Sequence, residues 1–384
     1  MISSIPRFTF NAPPKLIFGS DSLEQLPGEA ARLGRRPLLV TGRSLRASGT
    51  LDRLLAALRD AGLEPRLHEG VPPEPDLDAL QACREAGEEC DSVIAVGGGS
   101  VLDIAKGAAA LSGRGKSARD YFAGEPVPET GKPLIAVPTT SGTGSEVTWV
   151  CVLVDHQTRR KASIRGGAMM PQVALVDPRL TVTCPPHVTA HSGMDAFVQA
   201  VESFTSRGAN PMTDALSLRA ACLTAEWVET AYREPEHREA REAMALGSML
   251  AGLALNTSRL GLVHGLAHPL GAVTGAPHGL LCGLLMPPVL RFNRVAAAEK
   301  YALLARELKL ASEHIDALDA ADALLAFTEE LLRRLEIPLR LREIGFREAD
   351  LDWVAAETMP SGSTKANPRP VTESDAREVA ESAM

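Results

Sequence analysis

The sequence lacks the features that mark secreted, disulfide-stabilised or membrane-embedded proteins. Its six cysteines are scattered through 384 residues without a C-x-x-C pair. This distribution disfavours a disulfide framework or a thiolate zinc site and fits reduced thiols in a cytoplasmic protein. The N-terminus has no basic segment followed by an apolar core, so we expect no signal peptide. No run of about 18 apolar residues occurs, so we expect no membrane span.

An excess of basic charge is also missing. Lys and Arg number 40 against 48 Asp and Glu, a formal net charge of −8. Nucleic-acid binding requires clustered cations, so we expect no nucleic-acid partner. The composition is otherwise that of a globular protein, with 45% hydrophobic and 23% charged residues. A chain of this length exceeds what a single core usually supports, which predicts two domains.

The first half alternates two kinds of pattern. Short apolar runs bounded by Gly, Pro or Asp are typical of strands buried on both faces of a parallel sheet. They occupy 37–41, 93–96, 134–137 and 173–176. Two intervening segments, 51–63 and 75–90, have apolar residues at a spacing close to 3.6, which predicts helices. This alternation predicts βαβ units.

The second half is helical in pattern from about Pro185 onward, with no convincing strand. Predicted helices lie at 187–206, 211–231, 238–257, 262–272, 279–293, 295–308, 318–335 and 373–383, and a polar, Pro-rich loop at 360–370. The predicted fold class is an α/β, Rossmann-like parallel-sheet domain followed by an all-α domain. We place these domains at residues 1–182 and 183–384.

Two loops have the composition of a phosphate-binding site. The strand at 93–96 runs into Gly97, Gly98, Gly99 and Ser100, where glycines permit close approach of a pyrophosphate to a helix N-terminus. Ser100 is expected to cap that helix and to donate to phosphate. The strand at 134–137 precedes a second loop, P-T-T-S-G-T-G-S. Paired loops of this kind predict a nucleotide crevice at the carboxyl ends of strands, although each loop alone is compatible with a simple turn.

The helical half contains a candidate metal site. Asp195 and Gln199 lie four residues apart, on one face of a predicted helix, and His264 and His268 have the same spacing before His278. Two imidazoles and a carboxylate suit Fe²⁺ or Zn²⁺. Gly265 stands where a metalloprotease motif would have glutamate, so that class is disfavoured.

Together these motifs resemble the iron-containing alcohol dehydrogenase family, the group III enzymes with a dehydroquinate synthase-like fold. The resemblance extends over nearly the whole chain. It rests on Phe18-Gly19, GGGSVLDIAK, PTTSGTGSEVT, ALVDPRL, the Asp195 helix, the three-histidine stretch and NPRPVT at 367–372.

The resemblance implies a role for each matching residue. The turn from Gly97 to Ser100 would hold the pyrophosphate of NAD or NADP. Thr139, Thr140 and Thr143 would line the nucleotide, with Lys161 near the nicotinamide ribose and Leu180 near the adenine. Asp195, His264 and His278 would bind the metal, and His268 would lie beside the nicotinamide as a proton relay.

Two positions depart from the family pattern. The fourth metal ligand is usually histidine, and here it is Gln199, whose carbonyl oxygen is a weaker donor. Either the metal is held by the other three ligands, as zinc is in glycerol dehydrogenases of this fold, or its binding is weakened or lost. After the strand at 37–41, many NAD-dependent members carry an aspartate that binds the ribose. Here Gly42 and Arg43 follow, so we expect NADP to be accepted.

The expected function is an NAD(P)-dependent alcohol dehydrogenase or aldehyde reductase, with metal-assisted hydride transfer to or from a small substrate. Three alternatives stay open: a metal-independent reductase similar to maleylacetate reductases, a lyase similar to dehydroquinate synthase, and a non-catalytic nucleotide-binding protein. The resemblance also implies a homodimer or higher homo-oligomer, and the scattered cysteines and the absence of a signal-peptide pattern suggest the cytoplasm.

Overall fold

The computed structural model describes residues 7–384, which divide into two compact units. The α/β unit comprises residues 12–140 and 144–184. The helical unit comprises residues 185–384, together with 141–143 and the N-terminal segment up to Asn11.

The α/β unit is built on a six-stranded parallel sheet. The six strands are β1 (Lys15–Phe18), β2 (Pro37–Thr41), β3 (Arg66–Glu69), β4 (Ser92–Gly97), β5 (Leu134–Pro138) and β8 (Val173–Val176), and a separate antiparallel hairpin consists of β6 (Val150–Asp155) and β7 (Arg160–Arg165). The strands of the sheet follow the spatial order β1-β8-β5-β4-β2-β3, and all pairings in the sheet are parallel. The four strands predicted from apolar runs are β2, β4, β5 and β8, and each is buried along its whole length.

Alternate residues of these strands feed two different apolar cores. Leu38 and Val40 face one core, whereas Leu39 between them faces the other. Because side chains alternate across a strand, only a run without polar residues can supply both faces. Helices α1 (Leu26–Leu33), α2 (Arg43–Ala47), α3 (Thr50–Asp60), α4 (Leu77–Ala86), α5 (Gly99–Leu111) and α6 (Ala118–Phe122) complete this unit.

The helical unit has no strand among its described residues. Its helices are α7 (Pro186–Thr205), α8 (Pro211–Arg233), α9 (Arg238–Ser258), α10 (Leu262–Thr274), α11 (His278–Asn293), α12 (Ala298–Glu307), α13 (Ala317–Arg334), α14 (Leu351–Thr358), α15 (Gly362–Ala366) and α16 (Glu373–Ser382). The predicted fold class, a parallel-sheet α/β part followed by an all-helical part, is therefore confirmed. Within residues 7–384, no helix is both long and apolar enough to cross a bilayer.

The predicted loop at 360–370 is partly wrong. Residues Gly362–Ala366 form the short helix α15, which begins after Ser361, whose side chain accepts a hydrogen bond from the Ser363 amide. Gly265 of α10 packs so closely on this turn that a Cβ there would overlap the hydroxyl of Thr364. The segment is therefore ordered, and it packs against α10.

Candidate metal and cofactor site

One face of α7 carries three buried polar side chains. Asp195, Gln199 and Glu202 follow one another at intervals of four and three residues, so they line up on the same face of the helix. All three are at most 4% exposed. Buried polar groups require partners, and helix α10 supplies them for Asp195 and Glu202.

The first turn of α10 is held in place by Glu202. The residue before the helix is Gly261, which has no side chain to cap it. The Glu202 carboxylate takes over this role, because it accepts a hydrogen bond from the Val263 amide at 2.7 Å. The amide of Leu262 donates instead to Oδ1 of Asn367 at 3.1 Å. Free amides at a helix start are thus satisfied by side chains from elsewhere in the unit.

Glu202 also orients the imidazole of His264. Its Oε2 lies 2.6 Å from Nδ1 of that ring, and Nε2 on the opposite side lies 3.3 Å from Oδ1 of Asp195. A carboxylate on one ring nitrogen fixes the tautomer and leaves the other nitrogen to bind a metal. The ring is therefore positioned as a ligand.

His278 and Cys282 approach the same point from α11. Helix α10 ends at Thr274 and is followed by Gly275, whose φ of +68° favours glycine. The chain returns through Pro277 to begin α11 at His278. Gly279 lets α11 pack directly on α7, because a Cβ there would overlap the carbonyl oxygen of His191. Cys282 follows one turn later, on the same face as His278.

Four side chains converge as a result. One candidate ligand atom from each of Asp195, His264, His278 and Cys282 lies within 4.8 Å of the other three. Burial by itself would raise the pKa of Asp195, but the hydrogen bond from His264 and the charge of His278 lower it to about 2. Burial likewise disfavours a charged His264, yet Cys282, Asp195 and Glu202 raise its pKa well above the usual value. Burial raises the pKa of the Cys282 thiol to about 12. The surroundings therefore favour a cation at this point.

The donor set fits a divalent metal. It combines a carboxylate, two imidazoles and a thiol, all buried except the half-buried His278, which suits Zn²⁺ or Fe²⁺. Oε1 of Gln199 is buried and has no hydrogen-bond partner among the described residues. A buried acceptor of this kind beside Asp195 is what a nearby cation would satisfy. His268 lies at the edge of the group, with its ring centroid 5.4 Å from that of His278.

In the α/β unit, the two predicted loops lie side by side. Gly97 pairs with Pro138 at the carboxyl ends of β4 and β5, and the Thr139 amide donates to the Gly97 carbonyl at 2.9 Å. A Cβ at Gly98 would lie 3.4 Å from Thr140. Thr143 lies further along the second loop and is half-buried. The sheet thus brings the glycine turn and the first two threonines together.

Gly42 joins the same edge of the sheet. It follows β2, which pairs with β4, and the Thr41 hydroxyl donates to the Val96 carbonyl at 2.9 Å. The chain leaves β2 toward β3 on one side, whereas it leaves the neighbouring strand β4 toward β5 on the other side. This is the topological switch point at which nucleotides bind in open α/β sheets.

The expected cap at Ser100 is wrong. The cap position of α5 is Gly98, which has no side chain to offer, and the Ser100 hydroxyl donates to the Pro73 carbonyl. The backbone amides at the start of α5 therefore have no side-chain cap, as a helix N-terminus that binds phosphate requires. Lys161 lies on β7 with Nζ 2.5 Å from Oε2 of Glu74. Leu180 lies in the turn Pro178–Thr181 and packs against the apolar core.

Comparison with known proteins identifies the family. The iron-containing alcohol dehydrogenase model matches residues 13–178, and the model of the C-terminal part of that family matches 189–384. The 1,3-propanediol dehydrogenase of Klebsiella pneumoniae is 37% identical over 370 residues, or 94% of this chain and 95% of that protein. The NADPH-dependent butanol dehydrogenase of Clostridium saccharobutylicum is 33% identical, with 97% of each chain covered. A crystal structure of 1,3-propanediol oxidoreductase has a TM-score of 0.94 at 35% identity, with 99% and 100% of the two chains covered.

The chain belongs to the iron-containing alcohol dehydrogenase family. The predicted family, reaction class and cofactor classes are thereby confirmed. This member of the iron-containing alcohol dehydrogenases is an NAD(P)-dependent oxidoreductase acting on alcohols or aldehydes, with a divalent metal as its second cofactor.

The resemblance to iron-containing alcohol dehydrogenases assigned no role at the candidate metal site to Glu202, Cys282 or Asn367. The position of Glu202 could have indicated a role, because it lies seven residues after Asp195 and therefore on the same face of α7. The position of Cys282, four residues after His278 and on the same face of α11, was a weaker indication. Asn367 begins the NPRPVT motif, but no pattern indicated its contact with Leu262, because the two positions are 105 residues apart.

Proposed function

We propose that this chain interconverts small, largely uncharged alcohols and aldehydes by hydride exchange with NADP(H) or NAD(H), assisted by a metal bound to Asp195, His264 and His278. The observation that carries the proposal is the convergence of these three side chains with Cys282, in which only His278 is partly exposed. The relatives named for 1,3-propanediol and butanol support a small alcohol or its aldehyde as substrate. The sequence division at 182/183 would then separate a nucleotide-binding part from a metal-binding part.

The dinucleotide is proposed to bind at the switch point of the sheet. The amides from Gly97 to Ser100 would hold the pyrophosphate, because the start of α5 has no side-chain cap. Further contacts are assigned on the family pattern to Gly42, Thr139, Thr140, Thr143, Lys161 and Leu180. The adjacency of the two loops supports this assignment.

In the helical unit, each polar side chain has a separate proposed task. A bound divalent cation would act as a Lewis acid, which lowers the pKa of an alcohol and polarises a carbonyl. Asp195 and His264 position that cation, and Glu202 fixes the ring of His264. His268, next to His278, is the proposed proton relay to solvent.

Coupled assays of metal content and turnover test the function. The full chain should oxidise NADPH or NADH with short-chain aldehydes, lose activity when a chelator removes its metal, and recover with Zn²⁺ or Fe²⁺. Asp195→Asn, which keeps the side-chain volume but removes the charge, should stay inactive after metal addition. Undiminished turnover in verified metal-free protein would instead favour the metal-independent reductase. Absence of turnover with every aldehyde, despite nucleotide binding, would favour the non-catalytic alternative.

Arg43 is proposed to favour NADP over NAD. It is exposed, follows Gly42 at the end of β2, and lies close enough to Glu69 for its charge to lower the pKa of that carboxyl. The Glu69 carboxylate is already held by Arg46, with contacts of 2.8 and 2.7 Å, which leaves the Arg43 guanidinium available for a phosphate. Arg43→Ala should raise KM for NADPH with little change for NADH. Equal effects on both coenzymes would contradict this role.

We further propose a cytoplasmic homodimer formed through the N-terminal strand. None of the six cysteines forms a disulfide, which supports a reducing compartment. Strand β1 is an edge strand, and Leu16 and Phe18 on it are more than one third exposed. Exposed edge strands with apolar side chains are sites of pairing between chains. Light scattering of the purified protein would show a monomer mass if this proposal were wrong.

A further inference from the structure

Cys282 lies where a fourth metal ligand would be required. Its Sγ is 3.6 Å from Nε2 of His278 and 3.8 Å from Nε2 of His264. The side chain is completely buried and forms no disulfide. A sulfur atom that contacts two imidazole nitrogens on their metal-binding side is well placed to share their cation.

The separations match the edges of a coordination tetrahedron. Bond lengths of about 2.3 Å for Zn–S and about 2.0–2.1 Å for Zn–N, at the tetrahedral angle, place sulfur and nitrogen about 3.6 Å apart. The same geometry places nitrogen and carboxylate oxygen about 3.4 Å apart. The structure has 3.6 and 3.8 Å for the two S···N edges and 3.3 Å for the N···O edge between His264 and Asp195. Three of the six edges therefore already have the lengths that a tetrahedral ion requires, and the four ligand atoms all lie within 4.8 Å of one another.

Gln199 is the other candidate for this position. Its side-chain amide forms a hydrogen bond with the Asp195 carboxylate, a role that orients Asp195. The remaining donor of Gln199 is a neutral carbonyl oxygen, which binds Zn²⁺ or Fe²⁺ more weakly than a thiolate does. Gln199 therefore serves better as a positioning residue for Asp195 than as the fourth ligand.

We propose that Cys282 binds the metal as a thiolate and completes a carboxylate, two-imidazole, thiolate centre that prefers Zn²⁺ or Co²⁺ to Fe²⁺. The inference rests on the proposed metal-binding function of Asp195, His264 and His278. On coordination the thiol loses its proton to solvent, because a coordinated thiol is deprotonated by the ion. Thiolate donors favour zinc, and the general order of divalent-metal affinity places Fe²⁺ below Co²⁺.

Cobalt substitution distinguishes a sulfur ligand from an oxygen ligand without relying on turnover. The full chain, stripped of metal and reloaded with Co²⁺, should show thiolate-to-cobalt charge-transfer absorption in the near ultraviolet, together with the visible bands of four-coordinate cobalt. Cys282→Ser should lose the ultraviolet band. Cys222→Ser, a half-buried cysteine on α8, and Gln199→Ala should both keep it. Zinc-edge X-ray absorption of the unmodified chain should show one sulfur at about 2.3 Å, a measurement that needs no variant.

The outcomes separate this inference from the proposed function. Suppose that the unmodified chain binds cobalt when Asp195→Asn does not, and yet shows neither the sulfur band nor a sulfur scatterer. That result would overturn the role of Cys282 and leave the metal site intact. Failure of the unmodified chain to bind cobalt or zinc at all would overturn both. Because loss of an outer partner of a ligand already weakens binding about 10–100-fold, Cys282→Ser should weaken Zn²⁺ binding at least as much. Binding of Fe²⁺ should change less.

Discussion

Glu202 is not a candidate ligand, but it supports the candidate metal site formed by Asp195, His264, His278 and Cys282. Its carboxylate caps α10 through the Val263 amide and holds Nδ1 of His264. Glu202→Gln keeps the shape and an oxygen for the cap but removes the charge behind the imidazole. Zn²⁺ affinity should fall about 10–100-fold, measured by competition with a chromophoric chelator. Glu299→Gln, an exposed change on α12, should leave the affinity unchanged. An equal loss in both variants would show that the effect is a general one of charge.

Glu146 makes stability depend on pH in the α/β unit. It is 3% exposed in the turn Ser145–Val147. Burial raises its pKa from 4.5 to about 7, although the charge of Lys106 acts in the opposite direction. The folded state therefore holds an extra proton between these values, and the free energy of unfolding falls as pH rises through this window.

Glu146→Gln removes this titration. Relative to the unmodified chain, the variant should gain stability on the order of 3 kcal/mol at pH 8 and little at pH 4, below both pKa values. Urea unfolding at the two pH values measures the difference. Glu89→Gln, whose side chain is 84% exposed, should follow the unmodified chain. A constant difference between Glu146→Gln and the unmodified chain at both pH values would contradict the assigned titration.

Residue patterns indicated candidate ligands more readily than the side chains around them. Asp195, His264 and His278 were recognisable because their residue types and spacings are uncommon outside metal sites. The contribution of Cys282 was not recognisable, since it depends on how closely α11 approaches α7, which Gly279 decides. A sequence shows the chemical type of a side chain directly, whereas distances between helices follow from packing.

At the scale of elements, Gly279 sets the distance between α7 and α11. In Gly279→Ala the new methyl group would overlap the His191 carbonyl, a backbone atom that cannot move aside. We expect a loss of about 1–3 kcal/mol in unfolding free energy and weaker zinc binding, because His278 shifts away from Asp195. Gly271→Ala on α10 is the matched control, since its nearest neighbour would be 3.5 Å away. Equal stability of the two variants in urea would rule out this packing explanation.

Sequence reasoning missed four strands, β1, β3, β6 and β7, and two of them, β3 and β7, share a physical property. The segments of β3 and β7, R-L-H-E and R-K-A-S-I-R, are largely polar and at most partly buried for most of their length. Strand β3 is at the edge of the sheet and β7 is in a two-stranded hairpin. Such strands need no continuous apolar run, whereas β2, β4, β5 and β8 are covered on both faces and do. Apolar runs therefore predicted the centre of the sheet and not its margins.

At the scale of the whole molecule, the metal should contribute to the stability of the helical unit. A ligand that binds only the folded state at 100 times its Kd adds about 2.7 kcal/mol, which corresponds to roughly 5–10 °C in melting temperature for a unit of this size. Removal of the metal should therefore lower the thermal midpoint of the full chain, followed by circular dichroism at the helical signal, and zinc should restore it. Asp195→Asn should melt at the same temperature with and without zinc, because its cluster has lost the carboxylate ligand. A zinc-induced rise of equal size in that variant would mean that the stabilising ion binds at another site, because this site would lack the carboxylate of Asp195.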